Sequence, residues 1–307
     1  MSPESSQNHF VARALFRSDL VTVYDHSCRP NANQNGPEEC ANVSEILFPR
    51  SGTFLARVEG REFVADPNQM LFFNQSEVYR IMHPYECQVE CTAFDFRSDI
   101  LQEAVSANGG EKPSNRPFKN WHALSQQSVF HLLHQLRQSF LAAHEDASQL
   151  EEWSLTLLAA VMGSSNAGPP NKPARRSVTE RAHRELAMRA CLVLSANYER
   201  NLGLDNLALS VGSSPFHLAR VFHGKVGLSM NQYRNRLRVR VALGRLLQGE
   251  ADLARLAVDL GFASHSHFCD VFHKIVGVTP SECRRRADSR WLKELSKNLE
   301  AIGGTPG

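Results

Sequence analysis

The chain has 307 residues, of which 42% are apolar and 21% charged, a globular composition long enough for about two domains. No run of 18 uninterrupted apolar residues is present, and Met1 to Phe10 lacks a basic stretch followed by an apolar one, which argues against a membrane span and a secretory signal. The net charge of +2 conceals two regions of opposite sign: residues 1–171 carry 12 Lys+Arg against 20 Asp+Glu, whereas residues 172–290 carry 20 against 10, and 17 of those 20 cations are Arg. A basic region so rich in arginine suits a polyanion better than a small substrate. The seven cysteines, at 28, 40, 87, 91, 191, 269 and 283, include no C-x-x-C pair and fit the reduced thiols of a cytoplasmic protein.

In chain order, Ile46-Leu47-Phe48, Thr53 to Val58, Glu62 to Ala65, Gln69 to Phe73, Tyr79 to Met82 and Gln88 to Phe96 are short β-like runs. Turn signals such as Arg50-Ser51-Gly52 and Asp66-Pro67-Asn68 separate them. Residues 118–162 read as helical, with Val129, Leu132, Leu133, Leu136 and Phe140, then Trp153, Leu157, Leu158 and Val161, at spacings of three and four. The expectation is a mainly β sandwich or barrel followed by a helical hairpin. Residues 163–180 include the Gly/Ser/Pro-rich Gly163 to Ser177 and are the expected linker. A domain over 1–162, another over 181–288 and a short helical or disordered tail over 289–307 complete the expected division.

The basic half contains an internal repeat. Leu207-Ala208, Gly212, Val221-Phe222-His223 and Gly227 match Leu256-Ala257, Gly261, Val271-Phe272-His273 and Gly277, with an offset of 49 before the turn and 50 after it. Each copy reads as a short helix closed by a glycine with positive φ, a serine cap (Ser214, Ser264), and a second helix ending at another glycine. This is an all-α plan of two helix-turn-helix units. In the second helices, Leu218, Val221 and Phe222, and Phe268, Val271, Phe272 and Ile275, are the expected inward sets. Phe216, His217 and Arg220 in one copy, and Ser266, His267, Asp270 and Lys274 in the other, face outward with the capping serines and are candidates for contacts with base edges or phosphates. Asn231 to Leu247 reads as a continuous connecting helix whose Arg236, Arg238 and Arg240 are candidate phosphate contacts. A rigid connector suits the spacing of about 34 Å between successive major-groove entries.

The run Leu207-Ala208, Gly212, Ser214, Leu218, Arg220, Phe222, Gly227, Arg236, Leu246, Leu256-Ala257, Gly261-Phe262, Phe268, Phe272, Gly277, Thr279-Pro280 and Arg284 resembles the DNA-binding domain of AraC/XylS-type transcriptional regulators. The resemblance covers about a third of the chain. It implies a bacterial transcription factor, often an activator, that sets two recognition helices in adjacent major grooves of promoter DNA and works with RNA polymerase. The chain departs from the pattern at Asp270, where a basic residue is common, and at Cys283, where Tyr or Phe is usual. A carboxylate repels phosphate but can accept a hydrogen bond from cytosine N4, so the first recognition helix is expected to do most of the base reading. The N-terminal stretch Gly52 to Pro84 is similar to cupin-like sensor domains. Its region from 27 to 121 holds a single histidine, His83, so the metal motif of enzymatic cupins is absent.

These readings lead to a sequence-specific DNA-binding regulator that responds to an unknown small-molecule effector, with no catalytic residues, no cofactor and no metal. One alternative is a thiol- or metal-responsive regulator using His26, Cys28, Cys40, His83, Cys87 and Cys91, although cysteines in strands usually pack as small hydrophobes. Another is a cupin-type enzyme with a nucleic-acid-binding appendage, which no Ser/His/Asp or paired-carboxylate arrangement supports. His265 and His267 diverge on a helix, which disfavours metal binding. Leu132, Leu136, Phe140 and the Trp153 helix fit either a homodimer interface or the core.

Overall fold

The computed structural model describes residues 10–108, 116–142, 146–165 and 178–285. Most of the expected linker, and the tail beyond 288, lie outside these residues. The strands β1 (Val11–Arg17), β2 (Val21–Cys28), β3 (Gln34–Cys40), β4 (Glu45–Ser51), β5 (Phe54–Val58), β6 (Arg61–Ala65), β7 (Gln69–Phe73), β8 (Val78–His83), β9 (Val89–Phe96) and β10 (His122–Leu124) form the N-terminal half with helices α1 (Ser98–Ala107), α2 (Gln127–Ala142) and α3 (Ala147–Ser165). They make a six-stranded sheet ordered β1-β2-β9-β4-β7-β10 and a four-stranded sheet ordered β3-β8-β5-β6.

Alternation along the strands aims one face of each sheet inward. Phe54, Ala56 and Val58 of the small sheet pack with Leu71, Phe73 and Cys91 of the large one. The other face of the large sheet, with Val21, Ile46, Phe72 and Phe94, is covered by Leu132, Leu136 and Phe140 of α2 and Trp153 and Leu157 of α3. The hairpin residues weighed for a homodimer interface are therefore core: Leu132 and Leu136 are 0% exposed and Trp153 is 2% exposed. A shared acid anchors α2 to the sheet. Asp25 accepts hydrogen bonds from the Thr92 hydroxyl at 2.8 Å and Arg137 Nε at 2.8 Å, and pairs with buried Arg50 at 3.3 Å.

The helical expectation over 118–162 fails in its first part. The Phe72 amide donates to the Trp121 carbonyl at 2.8 Å, and β10 pairs with β7, so an open sheet edge takes the segment. Strands β1, β2 and β3 and helix α1 carried no signal strong enough to be read.

Glu45 on β4 lies opposite Asp95 on β9. Burial, and then the neighbouring carboxylate, push Glu45 up to about 8, while burial pushes Asp95 up to about 6. A carboxyl raised in the folded state stabilises below its unfolded value and loses that contribution as pH rises through the folded value. His131 has the opposite sign: burial pushes it down to about 4, so its contribution is lost on acidification. Between pH 6.5 and about 8 it is chiefly Glu45 of these three groups that holds more protons in the folded than in the unfolded state, so we expect the melting temperature to fall across that range and Glu45→Gln to flatten the fall; thermal melts at pH 6.5, 7, 7.5, 8 and 9 check this.

The C-terminal half comprises α4 (Val178–Ala196), α5 (Leu204–Ser210), α6 (Pro215–Val226), α7 (Met230–Leu247), α8 (Leu253–Asp259), α9 (His265–Val276) and α10 (Pro280–Arg285). It has two cores strung along α7. Leu186, Ala190, Leu207, Leu218 and Phe222 pack around Tyr233 and Leu237 at one end, and Leu256, Phe262, Phe268 and Phe272 pack around Val239, Leu243 and Leu246 at the other. In the second unit Val271 and Ile275 are only half-buried, and Val276 is buried in their place.

Candidate nucleic-acid interface

Each recognition helix starts where a serine stops the preceding turn. The Ser214 side chain accepts from the His217 amide at 3.3 Å, and Ser264 from the His267 amide at 3.1 Å. Both helices end at glycines in the left-handed region, Gly227 (φ 76°) and Gly277 (φ 84°). The inserted residue of the second turn lengthens the approach to Ser264 without changing the cap.

The outward faces lie where the repeat places them. On α6, Phe216 is 81% exposed, Ser214 and Arg220 are exposed, and His217 is half-buried with its ring 5.4 Å from that of His183 on α4. On α9, Ser264, Ser266, His267, Asp270 and Lys274 are all exposed. His267 is set edge-on to Phe262 at 5.6 Å, while His265 turns to Cys269, with Nε2 3.6 Å from the sulfur. Fixed caps and apolar undersides make both faces rigid surfaces of helix N-termini and polar side chains. Such surfaces suit a major groove and its phosphates.

The connector arginines are a correction. Arg240 is 0% and Arg238 2% exposed, so neither stands free on a solvated face toward phosphate. Arg238 Nε donates to the Tyr198 carbonyl at 2.6 Å and Nη2 to Asn201 Oδ1 at 2.9 Å, with its guanidinium 5.4 Å from the Phe262 ring centre. It ties the α4–α5 loop to the turn of the second unit. Arg240 donates to the Pro67 carbonyl and, at 2.6 Å, to the Ser125 carbonyl, and lies over the Phe130 ring at 4.4 Å. Burial pushes Arg240 down to about 9. Arg236 is half-buried. A period-3.6 pattern assigns faces correctly only when the partner surface is known, and here the partner of α7 is the N-terminal half itself.

The thiols give no metal centre: among the described residues no group of three His, Cys, Asp or Glu is placed to hold an ion. Burial pushes the thiols of Cys91, Cys191 and Cys283 up, which makes them poor nucleophiles. The N-terminal half carries a polar cleft of about 380 Å³ where Arg57, Arg80 and Arg116 meet Glu38, Glu59 and Glu77.

A family model described as a helix-turn-helix domain matches residues 207–286, which spans both units. Residues 207–286 are the helix-turn-helix domain of the kind found in AraC/XylS-type regulators. It is similar to an uncharacterized HTH-type transcriptional regulator, YbfI, of Bacillus subtilis, at 26% identity over 76% of this chain and 82% of that one. The XylDLEGF operon transcriptional activator 3 of Pseudomonas putida is 24% identical over 94% of this chain and 85% of its own. Among solved structures, ToxT from Vibrio cholerae is 12% identical with a TM-score of 0.34, covering 87% of this chain and 98% of that one. The chain is a DNA-binding transcription regulator. Among its described residues no helix is long and apolar enough to cross a membrane.

Proposed function

We propose that the regulator is a cytoplasmic transcription activator whose N-terminal half receives a small-molecule effector, while α6 and α9 enter successive major grooves of promoter DNA. It assigns no reaction to the chain and gives RNA polymerase as the partner at the promoter. The observation that supports it is the simultaneous exposure of both recognition faces while the N-terminal half is packed on α7. Ser214, Phe216, His217 and Arg220 carry base reading in the first unit, and Ser264, Ser266, His267, Asp270 and Lys274 contact the second groove. Arg236 remains a candidate phosphate contact; Arg238 and Arg240 are structural.

The test uses the full-length chain with duplex DNA from upstream of its own gene. Sequence-selective retention with a steep loss of affinity between low and high salt is expected, and equal binding to unrelated DNA would overturn the reading. Arg220→Ala should weaken binding to that DNA about tenfold, within the range of about 1–3 kcal/mol for one base contact, while leaving non-specific binding nearly unchanged. Equal losses on both DNAs, measured by fluorescence anisotropy, would place Arg220 on phosphate instead.

A further inference from the structure

The two halves meet through polar groups that no water reaches. Between β6 and β7 lies the turn Asp66-Pro67-Asn68, whose Asp66 and Asn68 are 0% and 1% exposed. Asp66 Oδ1 accepts from the Asn68 amide at 2.8 Å, which fixes the turn. Asp66 Oδ2 accepts from the Tyr233 hydroxyl at 2.5 Å and from the Ser195 hydroxyl, which also reaches the Cys191 carbonyl at 2.8 Å. Asn68 Nδ2 donates to the Tyr233 carbonyl at 3.1 Å, and the Pro67 carbonyl accepts from Arg240. Three consecutive residues of the N-terminal half thus hold α4 and α7 of the DNA-binding half.

The apolar contacts show what is being held. Val64, with Leu55 and Leu124 beside it, belongs to the core of the first helix-turn-helix unit, and Phe130 of α2 belongs to the core of the second. Gln138, also on α2, donates to the Leu247 carbonyl at the end of α7 at 3.3 Å. The N-terminal half therefore touches both units at once while Phe216 and Arg220 of α6 and His267, Asp270 and Lys274 of α9 stay exposed. Helix α7 alone sets the distance between the units along its axis. The rotation of each small unit about that axis depends on whatever else packs against it.

We propose that Asp66 is a positioning residue for DNA recognition: through Tyr233, Ser195 and the turn it caps, it braces both helix-turn-helix units so that α6 and α9 keep the separation and facing of successive major grooves. The inference rests on the DNA-binding reading above. It assigns to the N-terminal half a part in setting half-site spacing, because a brace shared by both units fixes their mutual geometry and leaves each recognition surface unchanged. Linked modules gain affinity only when geometry allows both to engage. Loss of the brace should therefore act on two-site DNA and spare one-site DNA.

The experiment uses full-length protein and the duplex it selects from random-sequence DNA. Affinity is measured on that duplex, on versions with one half-site scrambled, and on versions with 1 to 5 base pairs added or removed between the half-sites, a range set by the repeat of about 10 base pairs. For Asp66→Asn and for the milder Tyr233→Phe, which removes one hydroxyl, we expect roughly tenfold weaker binding to the intact site, unchanged binding to the scrambled ones, and a flattened dependence on spacing. Equal loss on intact and scrambled DNA, or an unaltered spacing profile in Tyr233→Phe, would overturn the proposal. Absence of selected DNA for the unmodified chain would instead overturn the DNA-binding reading on which it rests.

Discussion

Gly261→Ala is expected to cost the protein about 3 kcal/mol or more, at the upper end of what single substitutions do. Gly261 adopts φ +75°, and a Cβ there would stand 1.8 Å from the Glu199 carbonyl oxygen and 2.8 Å from Arg238 Nη2. Left-handed backbone alone costs an alanine about 1–2 kcal/mol, and the remainder comes from displacing the α4–α5 loop. That loop is held by Arg238 through the Tyr198 carbonyl and by Asn201, whose Nδ2 donates to the Gly261 carbonyl at 3.1 Å. The repeat supplies its own control. Gly212, the counterpart in the first unit, has φ +67°, but a methyl group placed on it would meet nothing within 4 Å, so Gly212→Ala should lose only the backbone cost. Denaturant unfolding of the two variants should separate them by about 1–2 kcal/mol, and equal midpoints would show that the loop yields freely.

The second large effect is expected at Arg240. Arg240→Ala removes the donor for the Pro67 and Ser125 carbonyls, empties space beneath the Phe130 ring, and takes away a cation whose charge favours ionised Asp66. Breaking one partner of a buried charged network costs about 3–5 kcal/mol. A solvated arginine on a helix face would cost less than about 0.5 kcal/mol, so equilibrium unfolding distinguishes the two settings. Arg240→Lys should recover little, because one ammonium on a flexible stem does not reproduce the planar fork that reaches two carbonyls. A loss below about 1 kcal/mol for Arg240→Ala would mean that the halves are not held together by this residue.

The two substitutions also bear on how DNA binding is assayed. With Val64 and Phe130 inside the cores of the helix-turn-helix units, a fragment lacking the N-terminal half would expose apolar surface that the full chain buries. Measurements on the full chain avoid that loss.

Legibility in the sequence followed the range of the interaction concerned. The repeat, the serine caps at Ser214 and Ser264, the glycine stops and the outward residues of α6 and α9 are local: each depends on neighbours within one or two turns of helix. Their signals survive in the order of residues. The strands with strong apolar runs were legible for the same reason, since β7 reads Gln69-Met70-Leu71-Phe72-Phe73 and is buried throughout. Strand β3 was not: it reads Gln-Asn-Gly-Pro-Glu-Glu-Cys, sits at a sheet edge and buries none of its residues fully, so only its pairing with β8 makes it a strand. Residues 118–126 went to a sheet edge because β7 offered unpaired backbone groups, a fact about space and not about spacing.

By itself the sequence determined an acidic N-terminal half, an arginine-rich half with a doubled helix-turn-helix, and which faces of the recognition helices point outward. Helical period, capping chemistry and charge composition suffice for all three. Only the tertiary structure decided the fate of the connector arginines and of Asp66. An arginine on a helix reads the same whether it meets water, phosphate or a neighbouring carbonyl, and burial of Arg238 and Arg240 follows from where the two halves pack. The same packing turned an ordinary Asp-Pro-Asn turn into the junction between the halves.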